Sequence, residues 1–220
     1  MDKPVGAVIM FGPPGAGKGT QAPLVGQRIG VPHISTGDMI RAEVASGSAR
    51  GLRAGAVMAR GELLSDDWLN EMVEARLQQP DCQRGFVLDG YPRTCEQAVA
   101  LEHALGANGT AMRLILLAVD YNEIIRRALA RRMCPVCGAI YNIYAKPPRL
   151  ENTCDRDGAA LVVRPDDREE VIRGRLEAYE KQTSPVLDYL AKRGYRMHQI
   201  DGCRRPEAVT AELLALLEAS

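Results

Sequence analysis

The 220-residue chain has no net charge: 28 Lys and Arg offset 28 Asp and Glu. With no basic excess, nothing in the bulk charge argues for a nucleic-acid partner. No apolar run approaches the roughly 20 residues of a membrane span. The start, Met1-Asp2-Lys3-Pro4, lacks the pattern of a signal peptide and leads straight into a strand, so a cytoplasmic location is expected. There is no internal repeat and no low-complexity tract. The six cysteines are not expected to form a disulfide framework in a chain this long without an export signal. The remaining composition, 46% hydrophobic and 25% charged, suits one well-filled core with insertions.

The chain is organised around Phe11-Gly12-Pro13-Pro14-Gly15-Ala16-Gly17-Lys18-Gly19-Thr20-Gln21-Ala22. An apolar run, Val5 to Phe11, precedes it as a buried strand. Apolar positions from Leu24 to Ile29 follow at helical spacing. Strand, glycine loop and helix form the setting of a phosphate-binding loop. The glycines turn backbone N–H groups inward, and a helix starting near Gly17 adds its positive end. Lys18 can reach the outer phosphates and Thr20 can meet Mg²⁺. Gly19 separates Lys18 from Thr20, where the common pattern has Ser or Thr directly after the lysine.

Strands then alternate with helices: 31–34, 86–88, 114–119 and 195–200 as strands, with helices between them. This predicts an α/β fold with a five-stranded parallel sheet of the P-loop type, covered by helices on both faces. Ligands belong at the strand C-termini. Ser35 and Asp38 have capping-box spacing. Positions 36–64 read as short helices broken at Gly47, Gly51, Gly55 and Gly61. Ser65 caps the next helix and Thr94 the one after. The spacing predicts one helix over Asn122–Arg132, with Arg127 and Arg131 on one face. A long helix from Arg168 to Ala191 is to break or kink at Pro185, whereas Pro23 is tolerated in the first turn of its helix. His33, His103 and His198 read as structural.

Phosphoryl transfer asks for positioning and positive charge, which arginine supplies. Asp89 ends a strand, where its carboxylate can hold Mg²⁺ through water. Arg93 follows a rigid proline turn in Gly90-Tyr91-Pro92-Arg93. Arg164 and Arg175 flank Asp166, Asp167, Glu169 and Glu170, acids suited to salt bridges between lid and core or to contacts with Mg²⁺-bound water. Between 133 and 167 the helical period gives way to a small β unit. There Cys134-Pro135-Val136-Cys137 and Cys154-Asp155-Arg156-Asp157 have a zinc-ribbon layout. Cys134, Cys137, Cys154 and Asp157 would close a structural Zn²⁺ site. A disulfide, free thiols, or Asp155 as the fourth ligand are the other readings. A zinc-ribbon binding module on an NTPase core is the competing function, though the insert lacks an aromatic-basic cluster.

GPPGAGKGTQA resembles the adenylate kinases, and the resemblance continues through STGDMIR, GFVLDGYPRT, the Arg127/Arg131 segment, the cysteine insert and RPDDREEVIRGRL. It covers nearly the whole chain. It implies a P-loop core at 1–34, 65–130 and 168–220, a nucleoside monophosphate-binding insert at 35–64 and a zinc-bearing lid at 131–167. It also implies Mg²⁺-dependent transfer from ATP to AMP giving two ADP, by a monomer without membrane or nucleic-acid partners. Gly15, Ala16, Gly17, Lys18, Gly19, Thr20, Arg127, Ile140, Tyr141 and Arg204 would then bind ATP. Thr36, Arg41, Glu62, Leu63, Leu64, Gly90, Tyr91, Pro92, Arg93, Gln97, Arg164 and Arg175 would bind AMP, with Gln97 reading the adenine. Lys18, Arg93, Arg131, Arg164, Arg175 and Asp89 would carry catalysis. Tyr91 departs from the commoner Phe. GMP, CMP or UMP as acceptor is the nearest alternative.

Overall fold

A computed structural model describes residues 5–60, 62–106, 110–164 and 167–218. The 1–4 start, the expected break at Gly61 and the acid Asp166 lie outside the described residues. The elements in order are β1 (Gly6–Phe11), α1 (Lys18–Ile29), β2 (His33–Ser35), α2 (Thr36–Ala45), α3 (Ala49–Ala59), α4 (Asp66–Leu77), β3 (Gly85–Asp89) and α5 (Cys95–Gly106). Then come β4 (Met112–Ala118), α6 (Tyr121–Leu129), β5 (Arg131–Met133), β6 (Ile140–Asn142), α7 (Glu169–Ala178), α8 (Ser184–Lys192), β7 (Met197–Asp201) and α9 (Pro206–Glu218).

Five strands form one parallel sheet in the order β2-β3-β1-β4-β7. Alternation along β1 explains the two-sided core. Ala7, Ile9 and Phe11 join a cluster with Leu88, Leu101 and Leu190. Val8 and Met10 face the other way, toward Val25, Ile115 and Leu213. Both faces are therefore covered, which is why the strands read as unbroken apolar runs. No helix among the described residues is long and apolar enough to cross a membrane.

The local expectations fare unevenly. Ser35 Oγ accepts from the Asp38 amide at 3.2 Å, but the Asp38 carboxylate pairs with Arg41. Ser65 occupies the N-cap of α4 without a side-chain cap bond. Gly47 falls between α2 and α3, whereas Gly51 and Gly55 do not break anything: α3 runs through both. A Cβ on Gly51 would sit 2.1 Å from the Glu43 carbonyl, so this glycine lets α3 press onto α2. Pro23 lies in the second turn of α1, and the helix continues past it to Ile29.

One helix ends where the sequence period does not. α6 stops at Leu129, and Arg131 lies in β5, antiparallel to β6. The Ile143 amide takes the Ala130 carbonyl, and Met133 bridges Val162, so tertiary pairing draws 131–133 into a ladder. The long C-terminal helix deforms as expected before Pro185, through a five-residue π turn over Tyr179–Thr183. Pro185 cannot donate to a carbonyl four residues back, and the local ladder shifts.

Candidate active site

The turn after β1 is a concave loop built on left-handed glycines. Gly12, Gly15 and Gly17 have φ of 144°, 86° and 101°. Gly12 is held twice over, because a Cβ there would stand 2.7 Å from the Leu117 carbonyl. Gly19 has Asp89 as its neighbour: a Cβ at that position would be 3.7 Å from the Asp89 carboxylate. Ala16 is buried, and Thr20 opens to solvent at the start of α1.

Lys18 folds across this loop. Its Nζ donates to the Gly12 carbonyl at 2.6 Å and the Pro13 carbonyl at 3.1 Å. Its pKa is lowered to about 8, first by loss of water. Asp89 opposes the shift, and Arg93, Arg175 and Arg131 add to it. Cations from the loop after β3, from α7 and from β5 thus crowd one point at the sheet's C-terminal edge. A cleft there lies between the phosphate loop, the Gly90–Arg93 turn, Arg175 and Tyr179.

The turn after β3 is strongly tied. Asp89 is buried at the strand end. Gly90 has φ 83°, and a Cβ would lie 2.7 Å from Thr36 Oγ1. Thr36 donates to the Gly90 carbonyl at 2.9 Å, and Arg93 Nε donates to the same oxygen at 2.7 Å. The Tyr91–Pro92 bond is cis. The Tyr91 hydroxyl donates to Asn70 Oδ1 at 2.6 Å, which gives the extra oxygen of this Phe-to-Tyr departure a half-buried partner. Burial lowers the Arg93 pKa; Asp89 opposes the shift, and Arg41 adds to it.

Gln97 sits fully buried behind the turn. The Arg93 amide donates to its Oε1 at 2.7 Å, and its Nε2 donates to Asp66 Oδ1 at 2.6 Å. Glu62 is exposed and paired with Arg60 through two bonds of 2.8 Å. Leu63 and Leu64 border a second groove together with Asp66 and Thr94.

On the opposite side, Arg127 Nε donates to Glu123 at 2.7 Å, and its terminal nitrogens donate to the Gly202 and Cys203 carbonyls at 2.8 and 3.3 Å. Arg131 donates to the buried Asp167 at 3.1 Å, and Arg164 Nε stands 4.0 Å from the same carboxylate. Ile140 is exposed, but Tyr141 is buried: its hydroxyl accepts from the Asp155 amide at 2.8 Å and lies 3.5 Å from Cys154 Sγ. Arg204 is exposed and pairs with Glu212, so its side chain is directed to α9.

In the β5–β6 unit, Cys134, Cys137, Cys154 and Asp157 each offer a ligand atom within 4.8 Å of the others. Cys137 and Cys154 sulfurs are 3.6 Å apart, well beyond a disulfide bond. Asp155 accepts from the Arg149 amide instead and is not in the group. Three thiols and a carboxylate at this spacing suit the tetrahedral preference of Zn²⁺.

Several supporting residues carry no signal in the sequence. Asp66 there is only a first-turn acid, and Asn70 has no visible role. Thr183, which donates to the Arg93 carbonyl at 3.0 Å, is hidden by the proline pattern around it. Only long-range pairing reveals them.

A parallel sheet with a glycine phosphate loop on its central strand, faced by a cluster of arginines, defines a P-loop phosphotransferase of the nucleoside monophosphate kinase class. The sequence model of the family described as Adenylate kinase matches residues 10–195. A relative named Adenylate kinase from Archaeoglobus fulgidus is 44% identical over 212 residues, 96% of this chain and 97% of the relative. Another from Methanocella arvoryzae is 45% identical over 210 residues, 95% and 97% of the two chains. One from Acholeplasma laidlawii is 42% identical over 212 residues, 96% and 97%. The chain belongs to the adenylate kinase family. Its reaction is ATP:AMP phosphotransfer giving two ADP, with Mg²⁺ accompanying ATP.

Proposed function

We propose that the cleft performs this transfer by positioning and charge alone, with each cation in a separate place. The acceptor phosphate already carries the attacking oxygen as an anion, so no side chain need remove a proton. Arg93, with Arg41 and Thr36 beside it, would orient that phosphate. Lys18 and the loop amides of Gly15, Ala16, Gly17, Gly19 and Thr20 would hold the donor's phosphates, exchanging the Gly12 and Pro13 carbonyls for phosphate oxygens. Arg131, Arg164 and Arg175 would meet the charge that spreads over the transferred group. Arg127, with Ile140 and the segment around Arg204, would flank the donor base; Tyr141 would support this strand from behind. Glu62–Leu64, Gly90–Pro92 and Gln97 would border the acceptor nucleoside. Asp89 and Thr20 would hold Mg²⁺, which supplies charge neutralisation on the phosphates when bound.

The observation that carries this reading is the cleft at the sheet's C-terminal edge, where the phosphate loop, Lys18, Arg93 and Arg175 line one space. Such a like-charge cluster is unfavourable without an anion and favourable around a polyphosphate.

On the same reading, 1–34, 65–130 and 168–220 form the core, 35–64 the acceptor insert and 131–167 a lid that excludes water before transfer. Cys134, Cys137, Cys154 and Asp157 would hold Zn²⁺ as a structural staple for that small unit. The protein would work as a cytoplasmic monomer on free nucleotides, without membrane or nucleic-acid partners. The experiment is ADP formation from ATP with each of AMP, GMP, CMP and UMP, in the presence of Mg²⁺. Turnover with AMP far above the others supports the assignment of the acceptor groove. Equal turnover with GMP would remove Gln97 as a base reader.

A further inference from the structure

Asp66, at the first position of α4, does more than favour the helix dipole. Its two carboxylate oxygens take different partners from the next helix: Oδ1 accepts from Gln97 Nε2 at 2.6 Å, and Oδ2 accepts from Thr94 Oγ1 at 2.8 Å. Thr94 Oγ1 in turn accepts from the backbone N–H of Gln97 at 3.2 Å. The other end of the Gln97 side chain takes the Arg93 N–H at 2.7 Å.

These partners have fixed polarity. A backbone N–H only donates, and an ionised carboxylate only accepts. The Gln97 amide therefore has a single orientation, with Oε1 toward Arg93 and Nε2 toward Asp66. A half turn of the amide would place N–H against N–H, and oxygen against carboxylate. These bonds leave one hydrogen on Nε2 and one lone pair on Oε1 of this fully buried side chain unused. Adenine carries a donor at its six-position and guanine an acceptor at the same place. An amide that cannot turn suits one of them, and an amide free to turn suits both.

We propose that Asp66 is a specificity-determining positioning residue: by locking the Gln97 amide, it sets the preference for AMP over GMP. This rests on the reading that the acceptor base, on entering the groove beside Asp66 and Thr94, meets Gln97. Asp66 itself touches no reacting atom. Its carboxylate acts through Gln97 and, through Gln97, on the Arg93 backbone.

The test compares the full-length protein with Asp66→Ala, Asp66→Asn, Gln97→Leu and Asp66→Ala/Gln97→Leu. The readout is the ratio of the GMP inhibition constant to the AMP KM, with ATP saturating, and the ATP KM alongside. In Asp66→Ala the ratio falls roughly tenfold, as expected for one hydrogen bond to a charged group. The ATP KM stays within about twofold, because the donor groups lie elsewhere. Gln97→Leu lowers the ratio at least as far, and the double variant falls no further than Gln97→Leu alone. Asp66→Asn, which keeps one acceptor for Nε2, gives an intermediate ratio and carries the test if the alanine variant folds poorly. An unchanged ratio in both Asp66 variants, with Gln97→Leu lowering it, overturns the role of Asp66 and spares that of Gln97. An unchanged ratio in Gln97→Leu overturns the reading of Gln97, and the Asp66 inference falls with it.

Discussion

At the scale of single residues, Lys18 holds the most informative position. Its pKa is about 8 against an ordinary 10.5. Between those values the unfolded chain binds a proton that the folded one has released, so stability rises as pH climbs from about 8 to about 10.5. Thermal melts of the nucleotide-free protein across that range should show an upward trend in Tm relative to Lys18→Met. Below about pH 8 the variant should melt no lower than the parent, since a poorly hydrated charge among arginines has been removed. The same variant should lose about two to three orders of magnitude in kcat, measured as ADP formation. Gly90 makes a second case. Its φ of 83°, and the 2.7 Å that would separate an added Cβ from Thr36 Oγ1, leave no room for alanine. Gly90→Ala should raise the AMP KM at least tenfold while the ATP KM changes little, because Thr36 and Arg93 share the Gly90 carbonyl.

At the scale of elements, α4 braces the segment from Tyr91 to Gln97. Asn70 on this helix accepts from Tyr91, and Trp68 lies under Arg50 of α3, with the guanidinium carbon 4.9 Å from the ring centroid. Arg50 also donates to Glu71 at 2.8 Å. Tyr91→Phe should lower stability by about 1 kcal/mol by leaving Asn70 Oδ1 without its hydroxyl, measured by denaturant unfolding. Arg50→Ala should change Trp68 emission and its response to AMP, because Trp68 is the only tryptophan in the chain. A variant whose emission responds like the parent would show that the contact between α3 and α4 does not follow acceptor binding. Sequence period alone misplaced Arg131 on α6, since 3.6-residue spacing continues through it. The pairing of Arg131–Met133 with Ile140–Asn142 overrides that local preference.

At the scale of the whole molecule, stability is divided between a large two-faced core and a small unit with little apolar interior. Cys134, Tyr141, Cys154 and Leu161 are the buried members of the unit's own cluster. So few side chains cannot hold a unit of this size without a further link. On the reading that Cys134, Cys137, Cys154 and Asp157 hold Zn²⁺, stripping it with a strong chelator should lower Tm, while assays with Mg²⁺ restored, well below the melting range, retain most of the activity. Asp157→Ala should reproduce the stability loss, and Asp157→Cys should restore it by supplying a fourth thiolate. Loss of all activity at low temperature after chelation, even with Mg²⁺ restored and with Tm unchanged, would point to a second metal acting in the cleft instead.

The sequence by itself determined the sheet class, the phosphate loop and the cysteine–aspartate set. Each is local or carried by a short spacing: an apolar run, a glycine pattern, two paired knuckles. It also placed Lys18, Asp89 and Arg93 near strand ends, where a parallel sheet puts its ligand. Only the tertiary structure decided which side chains support them. Asp66, Asn70 and Thr183 reach the Gly90–Arg93 turn and the residue after it from other elements, across 28, 21 and 90 residues to their partners Thr94, Tyr91 and Arg93. Their types are ordinary for helix starts and surfaces, so no local pattern marks them. The direction of Arg204 toward Glu212 and the inward turn of Tyr141 were decided in the same way. A hydrogen bond between distant residues depends on how whole elements pack, and packing is a property of the assembled core rather than of any window of sequence.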